Sequence, residues 1–365
     1  NYNHNTAHGG LSGENGYNVN GNPIVENVDQ KKEDELVANV LTADLAYTEP
    51  LSKKILMKLS YGLSSDVNHS TKTTRVKPTS SDDYTERIDS LSTDFRSNVF
   101  GQTGGLEFKY NEKKYNITLG SKLRYSTFDQ YDLVRNRSYN YDRINLFPTL
   151  RFNYKFDQFR RFTFSYTGST KQPSISQIQP VQDNSNPLNI IIGNPNLKVG
   201  YSESVNMNYF SYKVLSARSL YGGAMVSNNF NNIATNRILD ALGRTINTYV
   251  NLNGGYNANV WGGINARIPK TAVEGRLNLS GSMSHTPNII NNVKGSTNSI
   301  SSTLTPGLAY TKEDRLYMSL DLSTIFTDTR NNLQSTREIK FFSFNPSASI
   351  NVYLPKNVEI GTDAD

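Results

Sequence analysis

The chain has 365 residues, among them 22 Tyr, 16 Phe, 25 Gly, one Trp and no Cys, with a mean hydropathy of −0.56. The lack of Cys excludes a disulfide framework and thiol chemistry, and the prominence of Asn, Ser, Thr and Tyr favours strands and turns over long helices. Thirty-eight Lys and Arg against 32 Asp and Glu give a net charge of +6, but these residues are scattered instead of forming a basic stripe, so nucleic acid is not an expected partner.

No stretch approaches the roughly 20 apolar residues that a membrane-spanning helix needs; the longest apolar core is a short run such as Ile190 to Ile192. That leaves open a β-barrel, which crosses with alternating strands and gives a weak hydropathy signal. The first 22 residues are polar and Gly/Asn-rich, with no signal peptide, which implies a processed precursor or a piece of a longer protein. Residues 1–35 read as a polar extracellular loop segment, and the first strand runs through Leu36 to Tyr47.

Period-two alternation then recurs along the chain. In "YNITLGSKLRYSTF" Tyr115, Ile117, Leu119, Leu123 and Tyr125 face one way, and Lys122 and Arg124 the other. In "TLRFNYKFDQFRRFTFSYTG" Leu150, Phe152, Tyr154 and Phe156 share one parity, Thr149, Arg151, Asn153 and Lys155 the other. After the turn at Asp157 to Arg160, Phe162, Phe164 and Tyr166 oppose Thr163, Ser165 and Thr167, so the stretch is a β-hairpin. The pattern returns in Leu277, Leu279 and Met283, in Leu304 to Tyr310, in Leu316 to Phe326 and in Phe342 to Leu354.

The connections alternate in length. Short ones at 48–53, 111–114, 157–160, 213–218, 269–273, 312–315 and 355–358 interleave with long polar ones near 64–92, 129–142, 169–200, 228–254, 285–298 and 328–337. A soluble sandwich has no reason to keep every long loop at one end, whereas an outer-membrane barrel does so as its rule. The expected fold is therefore all-β, an antiparallel transmembrane β-barrel spanning 36–365, with about 14 strands visible. On this reading Phe152, Tyr154, Phe162 and Phe164 meet lipid, and Lys122, Arg124, Arg151 and Lys155 face the lumen, where they are candidates for steering an anionic ligand or for pairing with a plug. The chain stops within a strand, and open edges are not tolerated in lipid, so a fragment of a larger barrel is expected.

The long loop Lys171 to Tyr209 carries Pro173-Ser174-Ile175-x-Gln177, then Asn186-Pro187-Leu188-Asn189, then Gly193-Asn194-Pro195-Asn196-Leu197-Lys198. In this order the segments closely resemble the hallmark loop of the TonB-dependent receptor-like outer-membrane β-barrels of Bacteroidota, and weaker echoes extend the likeness over roughly 90–365. The resemblance implies a 22-stranded barrel in the outer membrane of a Gram-negative bacterium, whose plug is pulled by the TonB complex to import a ligand. A plug, a TonB box and the final strands have no counterpart in this sequence. Some relatives partner a surface lipoprotein, which nothing here demands. Two other readings stay open: a passive or secretory outer-membrane barrel without energy coupling, and a surface-exposed adhesive β-protein.

No nucleophile elbow, zinc-protease motif, phosphate loop or paired-carboxylate signature is present, so no enzymatic activity and no cofactor is expected. His4, His8, His69 and His285 have no paired metal-binding spacing. Asp82, Asp83, Glu86 and Asp89 lack the Gly-centred pattern of a calcium loop and read as solvated. Gly193 to Leu197 reads as rigid turn chemistry more than as a binding site, and Gly222, Gly223, Gly254 and Gly255 as bulges or close backbone approaches.

Phe152→Lys or Phe164→Lys in the intact protein is expected to impair membrane assembly, because a charge on the lipid face near midplane costs roughly 2–4 kcal/mol. Normal assembly of both variants, with the new side chains labelled only from the lumen, would reverse the face assignment.

Overall fold

The computed structural model describes residues 2–19, 22–79, 81–183, 186, 188–312, 315–333, 338–355 and 358–364. Pro187 and the turn or loop residues 313–314, 334–337 and 356–357 of the expected pattern lie outside them. One sheet of 20 strands dominates. In chain order these are β1 (Tyr2–Val19), β2 (Asn22–Pro50), β3 (Ile55–Val76), β4 (Glu86–Arg87), β5 (Thr93–Asn111), β6 (Tyr115–Asp132), β7 (Arg137–Lys155), β8 (Arg160–Lys171), β9 (Gln182–Asp183) and β10 (Asn189–Ile192). There follow β11 (Gly200–Lys213), β12 (Arg218–Phe230), β13 (Asn232–Leu239), β14 (Thr245–Leu252), β15 (Gly255–Arg267), β16 (Val273–Ile290), β17 (Val293–Lys312), β18 (Leu316–Asn331), β19 (Glu338–Leu354) and β20 (Val358–Ala364).

Fourteen of these form the wall. Strands β2, β3, β5, β6, β7, β8, β11, β12 and β15 to β20 each pair antiparallel with the next in that order. They are the strands the alternation predicts; the other six, β1, β4, β9, β10, β13 and β14, are the difference between the observed 20 and the expected fourteen. Antiparallel order puts successive connections at opposite ends of the sheet. Among the described residues the short turns accordingly fall at one end and the long connections at the other.

The turns are built from local chemistry. At 156–159 the Asp157 carboxylate accepts the Phe159 and Arg160 backbone N–H groups at 2.9 Å and the Arg160 Nε at 2.7 Å. The Phe159 N–H first, then the Arg160 guanidinium, hold this carboxyl below its usual range. Between the first and second short turns Lys54 pairs with Glu112.

Two segments expected as long loops, 129–142 and 285–298, are instead largely wall strand, and a third, 328–337, begins as strand. Strands β6 and β7 run on to Asp132 and Arg137, and β18 runs to Asn331. Strands β16 and β17 close on Asn291 and Asn292, at φ 49° and 63°, the two left-handed residues that a tight hairpin turn requires. Polarity reports what surrounds a strand, not whether its backbone is paired, so a wall that continues into water looks like a loop in sequence. The same holds for residues 1–35, which read as a polar loop. Tyr2–Val19 pairs antiparallel with Asn22–Asn39, making a hairpin that extends past the end of β3. Its flank carries Arg75–Glu33 at 2.5 Å, Lys77–Asp29 at 3.1 Å and Tyr84 Oη donating to Asp29 at 2.5 Å, the marks of an aqueous setting.

The true excursions are 77–92, 172–199 and 231–254. The second turns through a short helix α1 (Ile175–Ile178), with the Ser174 N–H donating to Gln177 Oε1 at 3.0 Å. Ile178 and Leu197 are buried with Phe95 of β5, packed by Tyr139, Ile175, Ile233 and Tyr249. Val199 joins Val99, Phe128 and Tyr141 in a neighbouring cluster. Because Val99 pairs with Phe128, and Phe128 with Tyr141, these wall residues share the parity of Lys122 and Arg124. The excursion therefore folds onto the polar face at the long-loop end.

Polar contacts fix it there. Asn194 donates its backbone N–H to Gln177 O at 2.7 Å and its Nδ2 to Tyr249 O at 2.8 Å. Asn251 accepts the Lys198 N–H at 2.7 Å and donates to Lys198 O at 2.9 Å. Strand β10 runs parallel to β14, β14 antiparallel to β13, and β13 parallel to the end of β16, so two loops and the wall share one hydrogen-bonded layer.

Leu197→Ala should cost about 2–5 kcal/mol of local stability, as for other buried large-to-small changes. Gly193→Ala should act alike, since its Cβ would collide with the Gln179 carbonyl. Faster proteolysis within 172–199, with the heat-resistant gel mobility of the wall retained, is the expected result; protease resistance equal to the parent would show that this packing does not hold the loop.

Candidate ligand-facing surface

Register assigns every wall residue to one of two faces. Ile117 opposes Phe152, which opposes Phe164, which opposes Met207. On this face Leu119, Leu123 and Leu146 are 58%, 51% and 53% exposed, a degree of apolar exposure over a continuous sheet that fits a hydrocarbon surrounding and not water. Arg160 is on the same side, paired with Asp157 in the turn.

The other face carries Lys122, Arg124, Arg151 and Lys155, as the alternation predicts, but it does not bring them to one spot. Arg124 stands opposite Asn145, and Lys155 lies ten residues further along β7, about 33 Å at strand rise. Arg124 is engaged: it donates from Nη2 to Ser64 at 2.8 Å and from Nε to Ser126 at 3.0 Å, lying across Gly101 of the strand between. The stem of Lys122 lies over Gly105 in the same manner. Arg151 is exposed between Thr118 and Ser165.

Sequence reasoning passed over several residues of this face. Arg143 opposes Ser126 and stands 5.7 Å from the Tyr141 ring, with its Nε buried. Asp321 reaches over Gly307 to Arg276 at 3.0 Å. Arg161 faces Lys155 across β7 and β8. Beside that pair is a hollow of about 570 Å³ lined by Asn153, Asn208, Phe210, Tyr221 and Trp261. It exists because Trp261 lies flat on Gly223 and Tyr221 on Gly263, so the rings run along the sheet instead of standing up from it. The period-two pattern marks all of these as polar-face positions; their grouping depends on register between strands far apart in sequence.

The other candidates are local. His69 meets Asp94 at 2.7 Å and Thr71 at 3.5 Å through the same ring nitrogen, so the three do not form a relay. His285 stacks on Tyr256 at 5.4 Å, and His4 pairs with Glu35 at 2.9 Å. Among the described residues no group of three or more His, Asp or Glu is placed to hold a metal ion. Asp89 of the acidic stretch pairs with Arg87 at 2.7 Å.

Comparison with known proteins supports this architecture. No curated protein sequence is similar enough to count as a relative. Among solved structures, the copper transporter OprC superposes with a TM-score of 0.53 at 10% identity, over 92% of this chain and 51% of that one. The FrpB iron transporter from Neisseria meningitidis gives 0.53 at 12%, over 97% and 56%. A double mutant of the Serratia marcescens hemophore receptor HasR, in complex with its hemophore HasA and heme, gives 0.51 at 10%, over 93% and 58%. At such identities the likeness is one of fold, and the chain spans little more than half the length of each. A sequence profile matches residues 1–364, and by this match the chain belongs to the outer membrane protein β-barrel family.

Proposed function

We propose that this chain is the wall of an outer-membrane receptor that captures a ligand at its long-loop end and imports it by TonB-dependent uptake. One observation carries the reading: every long connection emerges at one end of the wall, and the 172–199 excursion folds inward there onto the polar face. In outer-membrane barrels the longer loops are extracellular and the short turns periplasmic. A solute entering from outside would thus meet a braced constriction before it meets Arg124, Lys122, Arg151 and Lys155, in that order along the face. These cations would steer anionic ligands down the lumen. The hairpin of residues 2–39 would project outside, and 36–365 would form the barrel wall.

The transporters and the receptor of like fold handle copper, iron and a heme-carrying protein. Their cargoes differ on one architecture, because specificity resides in loops and sites more than in the wall. They support the class of activity proposed here, uptake through a receptor barrel, and no particular cargo.

The test has two parts. Sequencing the gene on both sides of this segment should reveal a plug and a TonB box upstream. Cells with and without the protein should then be compared for uptake of ferric siderophores, cobalamin, oligosaccharides and peptides, before and after a protonophore collapses the proton-motive force. Loss of uptake of one class on deletion, matched by loss with the protonophore, is expected. Uptake that persists under the protonophore, in a protein whose gene encodes no plug, would establish the passive barrel instead.

A further inference from the structure

The hollow at the short-turn end of the polar face has an electrostatic peculiarity. Lys155 and Arg161 stand directly opposite each other on adjacent strands, and like charges so placed repel. On the other face of the same hairpin Arg160 has its partner in Asp157 at 2.7 Å. Among the described residues no carboxylate lies within ion-pair distance of Lys155 or Arg161. The neighbouring polar groups are already engaged with one another: Asn153 donates to Asn116 at 2.7 Å, Tyr221 donates to Asn278 at 2.5 Å, and Asn208 donates to Asn206. Arg161 stands 5.5 Å from the centre of the Phe210 ring, an apolar surface beside the cation.

We propose that this hollow binds a carboxylate carried on an apolar or aromatic stem. Lys155 and Arg161 neutralise the carboxylate, and Phe210 and Trp261 pack the stem. A planar guanidinium matches a carboxylate with two parallel hydrogen bonds, and the ammonium adds a compact second charge. The volume of about 570 Å³ is that of a small-molecule site. The carboxylate comes either from a free solute or from an acidic side chain of a protein segment that enters the lumen. The site does not depend on energised uptake, since a passive barrel with this wall would carry the same hollow.

The chain has no Cys, so Asn208→Cys in the complete, membrane-extracted protein places a single thiol of this wall in the hollow for an environment-sensitive dye. Indole-3-acetate is titrated against its uncharged analogue indole-3-acetamide, and every variant is checked for folding by heat-modifiable gel mobility. A saturable dye response to the acetate is expected, with the amide about tenfold weaker, as for loss of one charge-assisted interaction. K155Q/R161Q should abolish the difference, while Lys155→Arg retains it; this result assigns the site to a free solute. If the thiol is shielded from the dye and K155Q/R161Q exposes it, the carboxylate belongs to a protein segment. Equal binding of the two probes, an accessible thiol that responds to neither, or shielding unchanged in the folded double variant would each overturn the proposal.

Discussion

A backbone surrounded by hydrocarbon must satisfy its N–H and C=O groups within itself, and the wall is organised around that requirement. Fourteen strands answer it by pairing each with the next, in unbroken antiparallel order from β2 to β20. Once the backbone is paired this way, side chains alternate between two faces and connections between two ends. The exposed leucines, the charged opposite face and the division into short and long connections are consequences of that one constraint. Its local exception is instructive: Pro306 lacks a donor, and the pairing of β17 with β18 is interrupted at residues 305–306.

On such a sheet the long polar side chains need somewhere to lie, and glycine provides it. Arg124 crosses Gly101 to reach Ser64, Asp321 crosses Gly307 to reach Arg276, and Tyr201 crosses Gly168 so that its hydroxyl donates to the Leu146 carbonyl at 2.9 Å. In each case the middle strand contributes no side chain, and the two outer strands are linked over it. The interaction braces three strands at once, which a nearest-neighbour contact cannot do. It also leaves the remaining surface lower and more open, as at Gly223 beneath Trp261.

The two ends of the polar face differ in kind. At the long-loop end, apolar burial of Phe95, Ile178 and Leu197 and the Asn194 and Asn251 hydrogen bonds hold an excursion against the wall. At the short-turn end, Lys155 and Arg161 face each other beside Phe210, with no carboxylate within ion-pair distance among the described residues. The excursion is held through Asn194 and Asn251, whose partners lie in neighbouring segments, whereas Lys155 and Arg161 face each other, which is the ground for the binding role proposed there. This contrast is why the hallmark loop reads as a structural brace and the Lys155–Arg161 hollow as a site.

Sequence alone determined the strand faces, the fourteen wall strands and the ends at which their turns lie. Phe152 against Arg151 is a statement about neighbours in the chain, and period two converts it directly into opposite faces. The likeness of Pro173 to Lys198 to a known loop was equally visible, and the structure explains it: Gly193 packs against Gln179, and Leu197 beside Phe95. Where sequence misled, at 2–19, 22–35, 129–142 and 285–298, polar side chains concealed a backbone still largely paired as strand. Only the tertiary structure decided which charges are spent and which are free. Arg124 and Lys155 look alike in the chain, yet one is engaged by a serine 60 residues away and the other faces Arg161 across a turn. Pairing between distant strands sets those distances, and no local pattern encodes it.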